Sequence, residues 1–286
     1  MNNLRLIPLI SYCIVLGLAS HCTNPSFARD NNSSPPNIIV ILADDMGPGD
    51  LSCYGGTLLP TPRIDQLARE GTRFTQYYSA SPICSPSRAG LVTGRFPGRV
   101  AITSYLQTRR GNRGCEQADY LDPNVPTLPG LLREAGYATA HFGKWHLGGG
   151  RDVSDAPKFA AYGYDEHAGT YESPEPHPDI TATDWIWSDK DKFKRWDRTR
   201  FFVDKTLDFL ARHKDGPCFV NLWLDDPHTP WVPGPDAPRR PRDEDGDVSL
   251  APPSSDESTP DETRRRPNDP QFQDEPRPSE PTPTRS

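Results

Sequence analysis

The chain has 286 residues, enough for one or two domains, and its apolar fraction of 34% is low for a globular protein. The formal net charge is −7, and no stripe of basic residues could neutralise phosphates, so the composition argues against nucleic-acid binding. Much of the low apolar fraction, and many of the 33 prolines, come from the C-terminal end.

The N-terminus has the pattern of a secretory signal peptide. Arg5 supplies a positive charge, residues 6–19 are mostly apolar, and Ser26 and Ala28 are small residues at cleavage positions. The apolar run is shorter than the ~20 residues that a membrane-spanning helix needs. We favour cleavage over a weak membrane anchor, and expect an exported, periplasmic or secreted protein whose mature chain starts near Arg29.

Three apolar segments are predicted to be buried strands. Residues 37–43 form a continuous, β-branched run of the kind that is covered on both faces in a parallel sheet. Residues 137–142 and 218–224 are the other two. The side chains that follow these strands are polar and ionisable: Asp44, Asp45, Lys144, His146, Asp225, Asp226 and His228. Because open α/β sheets bind ligands at the carboxyl ends of their strands, we expect a site there.

Helices are predicted between the strands from their caps and apolar spacing. The first helix covers residues 62–70, with Thr61 as its N-cap and Gly71 at its end, and the second begins at Cys84, with Pro86 in its first turn and Gly94 past its end. The third runs from Thr127 to Gly136, and the fourth covers residues 201–210. The alternation of strands and helices predicts an α/β fold with a mainly parallel sheet.

The composition changes after Val232. From residue 235 to residue 286 the chain is dominated by Pro, Ser, Thr and charged residues, and such a segment cannot bury enough apolar surface to offset its ordering entropy. We therefore predict a signal peptide at residues 1–28, a catalytic region at 29–234 and a disordered tail at 235–286.

Cysteine usage leaves the pairing open. Export permits disulfides, and Cys53, Cys115 and Cys218 remain once the signal peptide and Cys84 are set aside. These three are either small buried residues or contribute one bridge, and the sequence does not select a pair.

Two of the features suit an anionic substrate and a hard cation. The adjacent carboxylates of Asp44 and Asp45 suit Ca²⁺, which takes 6–8 oxygen ligands, although such a pair is more often a solvated turn. Cys84 at a helix N-terminus lies where free N–H groups favour anions, and Arg88 one turn later suits a tetrahedral oxyanion. A lone Cys in that position is more often a buried structural residue.

The remaining candidates are a cation and two imidazoles. Lys144 and His146 stand two residues apart on one side of an extended segment, and His228 lies in a stiff Pro-His-Thr-Pro turn. Histidine is the most frequent general acid or base. Taken singly, each is more often a surface or capping residue, and the other histidines receive no role.

Together these segments resemble the successive motifs of the type I sulfatases, which are formylglycine-dependent and arylsulfatase-like. The resemblance covers roughly residues 37–234 and rests on motifs in the family's order: Asp44-Asp45, Cys84-Ser85-Pro86-Ser87-Arg88 with Thr93-Gly94-Arg95, the run Gly-Lys-Trp-His-Leu-Gly at residues 143–148, and Pro227-His228. It implies an alkaline-phosphatase-like α/β/α sandwich, here incomplete, and an enzyme that hydrolyses aryl or carbohydrate sulfate esters.

The resemblance also implies a role for each residue. A formylglycine-generating maturation enzyme would oxidise Cys84, and one oxygen of the hydrated aldehyde would attack sulfur. Asp44, Asp45 and the residue-84 oxygen would bind Ca²⁺, while Arg88 and Lys144 would stabilise the sulfate charge. His228 would protonate the leaving alcohol. His146 would remove the proton of the second hydroxyl and so expel sulfate.

The sequence departs from the family pattern after His228. The later Asp-Asn-Gly segment, the Lys that follows it and the smaller C-terminal domain are not found, so the chain resembles a C-terminally truncated sulfatase of doubtful activity. Two alternatives stay open: a non-catalytic remnant that binds sulfated anions, and a phosphoesterase of the same superfamily, which Cys84 with Pro86 and Arg88 disfavours. The expected substrate is a sulfated small molecule or polysaccharide, whose sugar could face Trp185, Trp187 or Trp196.

Overall fold

The computed structural model describes residues 35–180 and 192–228. Its sheet has four strands, which are all paired in parallel in the order β1-β4-β2-β3. The strands are β1 (Ile38–Leu42), β2 (Ala138–Gly143), β3 (Glu166–Gly169) and β4 (Cys218–Trp223). The helices are α1 (Pro62–Glu70), α2 (Cys84–Thr93), α3 (Arg109–Gly114), α4 (Leu128–Glu134) and α5 (Arg198–Arg212). Short 3₁₀ helices cover Pro48–Asp50, Ser52–Tyr54, Pro97–Val100, Phe159–Tyr162 and Arg195–Asp197. The prediction of an α/β fold with a parallel sheet is confirmed.

The three predicted strands and four predicted helices are all present. Thr127 caps α4 by accepting a hydrogen bond from Gly130 N, as its position predicts. Thr61 precedes α1 but makes no such cap, because its hydroxyl contacts Ser52 and Asp65 instead. The short strand β3 and the helix α3 were not predicted, since neither carries a periodic apolar pattern.

The prediction that the first strand is covered on both faces is wrong. Burial alternates along β1, with Ile39 42% exposed and Ile41 61% exposed. The strand lies at the edge of the sheet beside β4, and one of its faces has no covering element among the residues that the structure describes. The apolar run alone could not distinguish this half-covered edge from a central strand.

The core consists of two apolar layers on opposite faces of the sheet. Strand β4 is buried along its whole length and supplies alternate residues to the two layers. Phe219 and Trp223 pack into the layer that contains Trp145, whereas Val220 and Leu222 pack into the layer that contains residues of α5. This arrangement is that of an α/β/α sandwich and holds β4 rigidly between its neighbours.

Several predictions concern residues outside the described ranges. The signal peptide at 1–28, the tail at 235–286, Trp185 and Trp187 all lie there. Trp196 is described and is 37% exposed. The three non-catalytic cysteines are unbridged: Cys53 is half-buried, Cys115 is exposed and Cys218 is buried. None of the described helices is long and apolar enough to cross a membrane.

Candidate functional site

The carboxyl ends of β1, β4 and β2 meet at one edge of the sheet. The Asp44 amide donates to the Asp226 carbonyl at 3.0 Å, and the Lys144 amide donates to the Trp223 carbonyl at 2.8 Å. Because the three strands are neighbours, these bonds bring the segments that follow them together. The residues predicted to form the site are therefore adjacent in space.

The Cys84 side chain lies at the start of α2. The preceding Ile83 is extended, so the helix begins at Cys84, and Gly94 ends it in a left-handed conformation with φ 63°. The Ser85 hydroxyl accepts from the Leu106 amide at 2.9 Å and ties the helix start to a neighbouring loop. The predicted helix bounds and the position of Cys84 are confirmed.

Cys84 faces three of the predicted catalytic side chains. Burial opposes ionisation of its thiol, but interactions with His146 and His228 and the charge of Lys144 outweigh burial and lower the pKa of Cys84 to about 5. Three residues that lie 60, 62 and 144 positions away along the chain thus act on one sulfur atom. This convergence on residue 84 marks the centre of the candidate site.

The Asp44 carboxylate bridges two buried cations. Its Oδ1 lies 3.1 Å from Arg88 Nη2 and its Oδ2 lies 2.6 Å from Lys144 Nζ, and all three side chains are less than 10% exposed. Burial would raise the pKa of Asp44, but Arg88 and Lys144 hold it below its ordinary value. Arg88 also donates to the Lys144 carbonyl at 2.9 Å and lies over the Trp223 ring. The guanidinium is consequently fixed in orientation.

The segment after β2 separates site residues from core residues. Lys144 and His146 are turned to the site, whereas Trp145 and Leu147 are fully buried in the apolar layer. Gly143 at the end of β2 has φ +118°, and an added Cβ there would lie 1.7 Å from the Trp223 carbonyl oxygen. Only glycine permits this close approach, which sets the start of the segment.

The His146 imidazole is held by its Nε2 atom. Nε2–H donates to the Leu106 carbonyl at 2.8 Å and lies 3.4 Å from Glu172 Oε2. The backbone of His146 has a left-handed φ of 51°, and its amide donates to the Glu172 carbonyl at 3.0 Å. Because Nε2–H donates to a carbonyl, Nδ1 is the basic nitrogen of the neutral imidazole, and it is buried in the site.

His228 and Asp45 form the more exposed side of the site. His228 Nε2 lies 3.6 Å from Asp45 Oδ2, and the two side chains are 23% and 59% exposed. Asp45 has a left-handed φ of 65°, and its side chain is 59% exposed, whereas that of Asp44 is 6% exposed. The two adjacent carboxylates therefore have different surroundings: one is a buried ion-pair partner and the other is open to solvent.

The donors for a Ca²⁺ ion are present only in part. Asp44 and Asp45 have the hard oxygen chemistry that Ca²⁺ prefers, but a full shell takes 6–8 oxygens. Within residues 35–180 and 192–228, no group of three or more His, Cys, Asp or Glu side chains is arranged to hold a metal ion. The described residues fit as part of such a site and do not complete it.

Four residues next to the site were missed by the sequence analysis. Glu172 contacts His146, Asp225 begins the turn that carries His228, and Arg195 and Arg198 pair with the Asp225 carboxylate. Together with Lys144 and His228 they line one cleft. No motif marks Glu172, Arg195 or Arg198. Asp225 had the signal of a strand-end carboxylate but received no role.

One of the histidines that received no role, His141, lies in the apolar core. His141 is fully buried among aromatic rings, including Trp145 and Phe159, and burial lowers its pKa to about 3. It is a neutral core residue. The sequence analysis gave His141 no role and expected a surface or capping residue, and its complete burial in the core corrects that expectation.

Comparison with known proteins identifies relatives of this arrangement. A family model described as Sulfatase matches residues 36–266. The chain is 32% identical to an N-acetylgalactosamine-6-O-sulfatase of Bacteroides thetaiotaomicron, a match covering 82% of this chain and 56% of that protein. It is 35% identical to the human N-acetylgalactosamine-6-sulfatase, over 68% of this chain and 40% of the relative. The chain thus spans about half the length of these curated relatives, or less.

Solved structures give the same picture. A Bacteroides thetaiotaomicron structure described in connection with the metabolism of multiple glycosaminoglycans is similar with a TM-score of 0.57 and 29% identity, over 71% of this chain and 53% of the other. A structure in complex with its substrate D-glucosamine-2-N,6-O-disulfate is similar with a TM-score of 0.51 and 29% identity, over 71% and 36%. Both matches agree with the predicted alkaline-phosphatase-like fold.

Proposed function

Because this chain belongs to the sulfatase family, we propose that it hydrolyses sulfate esters at the site around Cys84. The observation that carries the proposal is the cluster itself: one residue at a helix N-terminus is faced by His146, His228 and Lys144, with Arg88 beside Lys144. A nucleophile position, two fixed cations and two imidazoles are groups suited to transfer of the sulfuryl group of a sulfate ester.

Residue 84 is proposed to act after oxidation to formylglycine by a maturation enzyme. The hydrated aldehyde would supply an oxygen nucleophile together with a second hydroxyl whose deprotonation releases sulfate. The segment Cys84-Ser85-Pro86-Ser87-Arg88 supports this, because it carries the Cys-x-Pro-x-Arg pattern that such an enzyme reads.

Arg88 and Lys144 would bind the sulfate group. Both are buried, and Arg88 is held by the Lys144 carbonyl at 2.9 Å and by the Trp223 ring, so little reorganisation is needed when charge develops. With Asp44 as their shared partner, the three side chains carry a net charge of +1. An anion is therefore favoured at this position.

The two histidines would divide the proton transfers. His146 presents the basic Nδ1 to the buried side of the site, so it would accept a proton from residue 84. His228 is more exposed and lies beside the solvent-facing Asp45, so it would donate a proton to the leaving alcohol. Their different burial supports opposite roles.

Asp44, Asp45 and residue 84 would contribute ligands to Ca²⁺, with further oxygens from elsewhere. A bound Ca²⁺ would lower the pKa of the attacking oxygen. Carboxylate chemistry supports this proposal, while the number of ligands among the described residues falls short of a full shell.

We propose a sulfated carbohydrate as substrate and an exported location. Relatives named for N-acetylgalactosamine-6-sulfate and the structure bound to a disulfated glucosamine support the substrate class. The apolar N-terminal run after Arg5 supports export.

The test is sulfate release from an aryl sulfate and from a hexose 6-sulfate with added Ca²⁺, after co-expression with a formylglycine-generating enzyme. Peptide mass at residue 84 reports the modification. The Cys84→Ser variant should accumulate a covalently sulfated serine, because a serine has no second hydroxyl to expel sulfate. Cys84→Ala is the matched control and should stay unlabelled. Steady multiple turnover by Cys84→Ser would contradict the proposal.

A second candidate is sulfate-anion binding without turnover. It is favoured by the incomplete metal ligand set of the described residues together with the intact Arg88–Lys144 pair. Binding of the hexose sulfate by calorimetry, combined with no sulfate release from a chain whose residue 84 is formylglycine, would support this candidate. A phosphomonoester tested in parallel separates the phosphoesterase alternative.

A further inference from the structure

The turn that carries His228 is held by contacts from buried arginine side chains. This turn, residues 225–228, follows β4 directly and is closed by the His228 amide, which donates to the Asp225 carbonyl at 3.2 Å. One hydrogen bond across so short a turn does not fix the direction of an imidazole. The position of His228 must depend on contacts from other elements.

Arg195 makes several of these contacts. It lies in the 3₁₀ helix Arg195–Asp197 that leads into α5, and it is 4% exposed. Its Nη2 donates to the Asp225 carbonyl and, at 2.9 Å, to the His228 carbonyl, while its Nη1 pairs with the Asp225 carboxylate. One guanidinium thus holds both ends of the turn.

Two further residues of the same segment support the turn. Arg198 Nη1 lies 3.3 Å from Asp225 Oδ2, and the Thr199 hydroxyl donates to the Asp226 carboxylate. The Asp226 carbonyl in turn accepts from the Asp44 amide at 3.0 Å. The contacts therefore run from the start of α5, through the turn, to the end of β1.

We propose that Arg195 is a positioning residue that orients His228 toward residue 84. Both terminal nitrogens of its guanidinium are used on the turn, and the fork geometry that reaches two carbonyls and a carboxylate together is specific to arginine. Charge-assisted hydrogen bonds of this kind are short and directional. Arg195 therefore acts through His228. The proposal rests on the proposed function, in which His228 protonates the leaving alcohol.

The first test does not need activity. Hydrogen exchange is followed in the peptides that contain the His228 and Asp44 amides, in the full chain and in Arg195→Lys. Lysine keeps the charge but lacks the two-nitrogen fork that spans all three acceptors, so exchange at the His228 amide should be about tenfold faster. Arg200→Lys is the matched control, because Arg200 is an exposed residue of α5, and it should leave exchange unchanged. Unchanged exchange in Arg195→Lys would overturn the proposal.

Thr199→Val is a second variant for the case in which Arg195→Lys does not fold. It removes the hydrogen bond from the Thr199 hydroxyl to Asp226. Valine has nearly the same shape as threonine, so the packing of this half-buried position is kept. Exchange at the His228 amide should become about two- to threefold faster, a smaller change than in Arg195→Lys, because one neutral donor is lost. An unchanged exchange rate in this variant would show that contacts from the start of α5 do not hold the turn, and would overturn the proposal.

The second test uses the dependence on the leaving group. If Arg195 acts through a proton donor, Arg195→Lys should lower kcat for a hexose 6-sulfate by about 10–100-fold. For an aryl sulfate with a good leaving group, kcat should change by less than about twofold, because little protonation is needed. An equal loss for both substrates, or a rise in KM alone, would show that Arg195 contacts the sulfate directly and would overturn the proposal. An inactive wild type would count against the proposed function, and the hydrogen-exchange result would then decide whether Arg195 positions His228.

Discussion

Replacement of Asp44 by Asn tests the buried charge network on which the site is built. In the structure Asp44 lies 3.1 Å from Arg88 and 2.6 Å from Lys144, all three being almost fully buried. At an effective dielectric constant of about 20, each contact corresponds to about 5–6 kcal/mol of attraction. Much of this is offset by desolvation of the three charges, and breaking a buried pair costs about 3–5 kcal/mol because a charge is left without its partner.

The assay is urea unfolding of wild type and Asp44→Asn in the presence of a chelator, so that no metal contributes. We expect the free energy of unfolding to fall by about 3–5 kcal/mol at pH 7. Asp45→Asn is the matched control: the same change at the adjacent residue removes a 59% exposed carboxylate and should cost less than about 1 kcal/mol. Equal losses for the two variants would refute the assignment of Asp44 as the bridging charge.

The pH dependence gives a second, independent check. Because the pKa of Asp44 is lowered in the folded chain from the ordinary value of 3.8, its contribution to stability is present above that value. The contribution is lost as the pH falls through the lowered pKa and the carboxylate is protonated. The stability difference between wild type and Asp44→Asn should therefore be constant from pH 7 to about pH 5 and shrink below about pH 4. A difference that persists undiminished at pH 2 would contradict a charge-based origin.

Two further predictions concern Cys84 and Gly143. In chain made without the maturation enzyme, alkylation of the Cys84 thiol should reach half of its maximal rate near pH 5, and His146→Ala should move that midpoint upward; a wild-type midpoint near 9 would show that the histidines do not act on the thiol. Gly143→Ala should prevent folding or cost more than about 3 kcal/mol in urea unfolding, because its Cβ would overlap the Trp223 carbonyl oxygen. The control Gly136→Ala, also at a positive φ but with open space around it, should cost only about 1–2 kcal/mol, and similar losses at both glycines would show that φ alone is responsible.

The sequence predicts the parts of this fold whose signals are local. The apolar runs predict β1 and β4, because a short, largely apolar segment bounded by polar residues has few other structures open to it. The start of α2 at Cys84 followed from Pro86 and Gly94. Which face of β1 is covered depends on distant elements, and for that reason the prediction of two-sided burial failed at Ile41.

The residues proposed to react were also easier to predict from the sequence than the residues that hold them in place. The residues proposed to react stand at the ends of strands or at the start of a helix, where topology brings them together. Their supporting contacts come from residues such as Glu172, which lies 26 positions from His146, and Arg195, which lies 30 positions from Asp225. Neither belongs to a periodic pattern or a spaced motif, so only the folded chain reveals them.

The site can therefore lose activity while every motif of the family stays intact. The motif residues determine which reaction is chemically accessible, but the orientation of each imidazole is set by a partner outside the motifs: the Leu106 carbonyl and Glu172 for His146, and Arg195 for His228. A Glu172→Ala or Arg195→Lys chain would keep every motif that identifies the family and still misplace a proton donor or acceptor. Since a displacement of about 1 Å can cost about 100-fold in rate, an intact signature is a weaker guide to activity than these contacts.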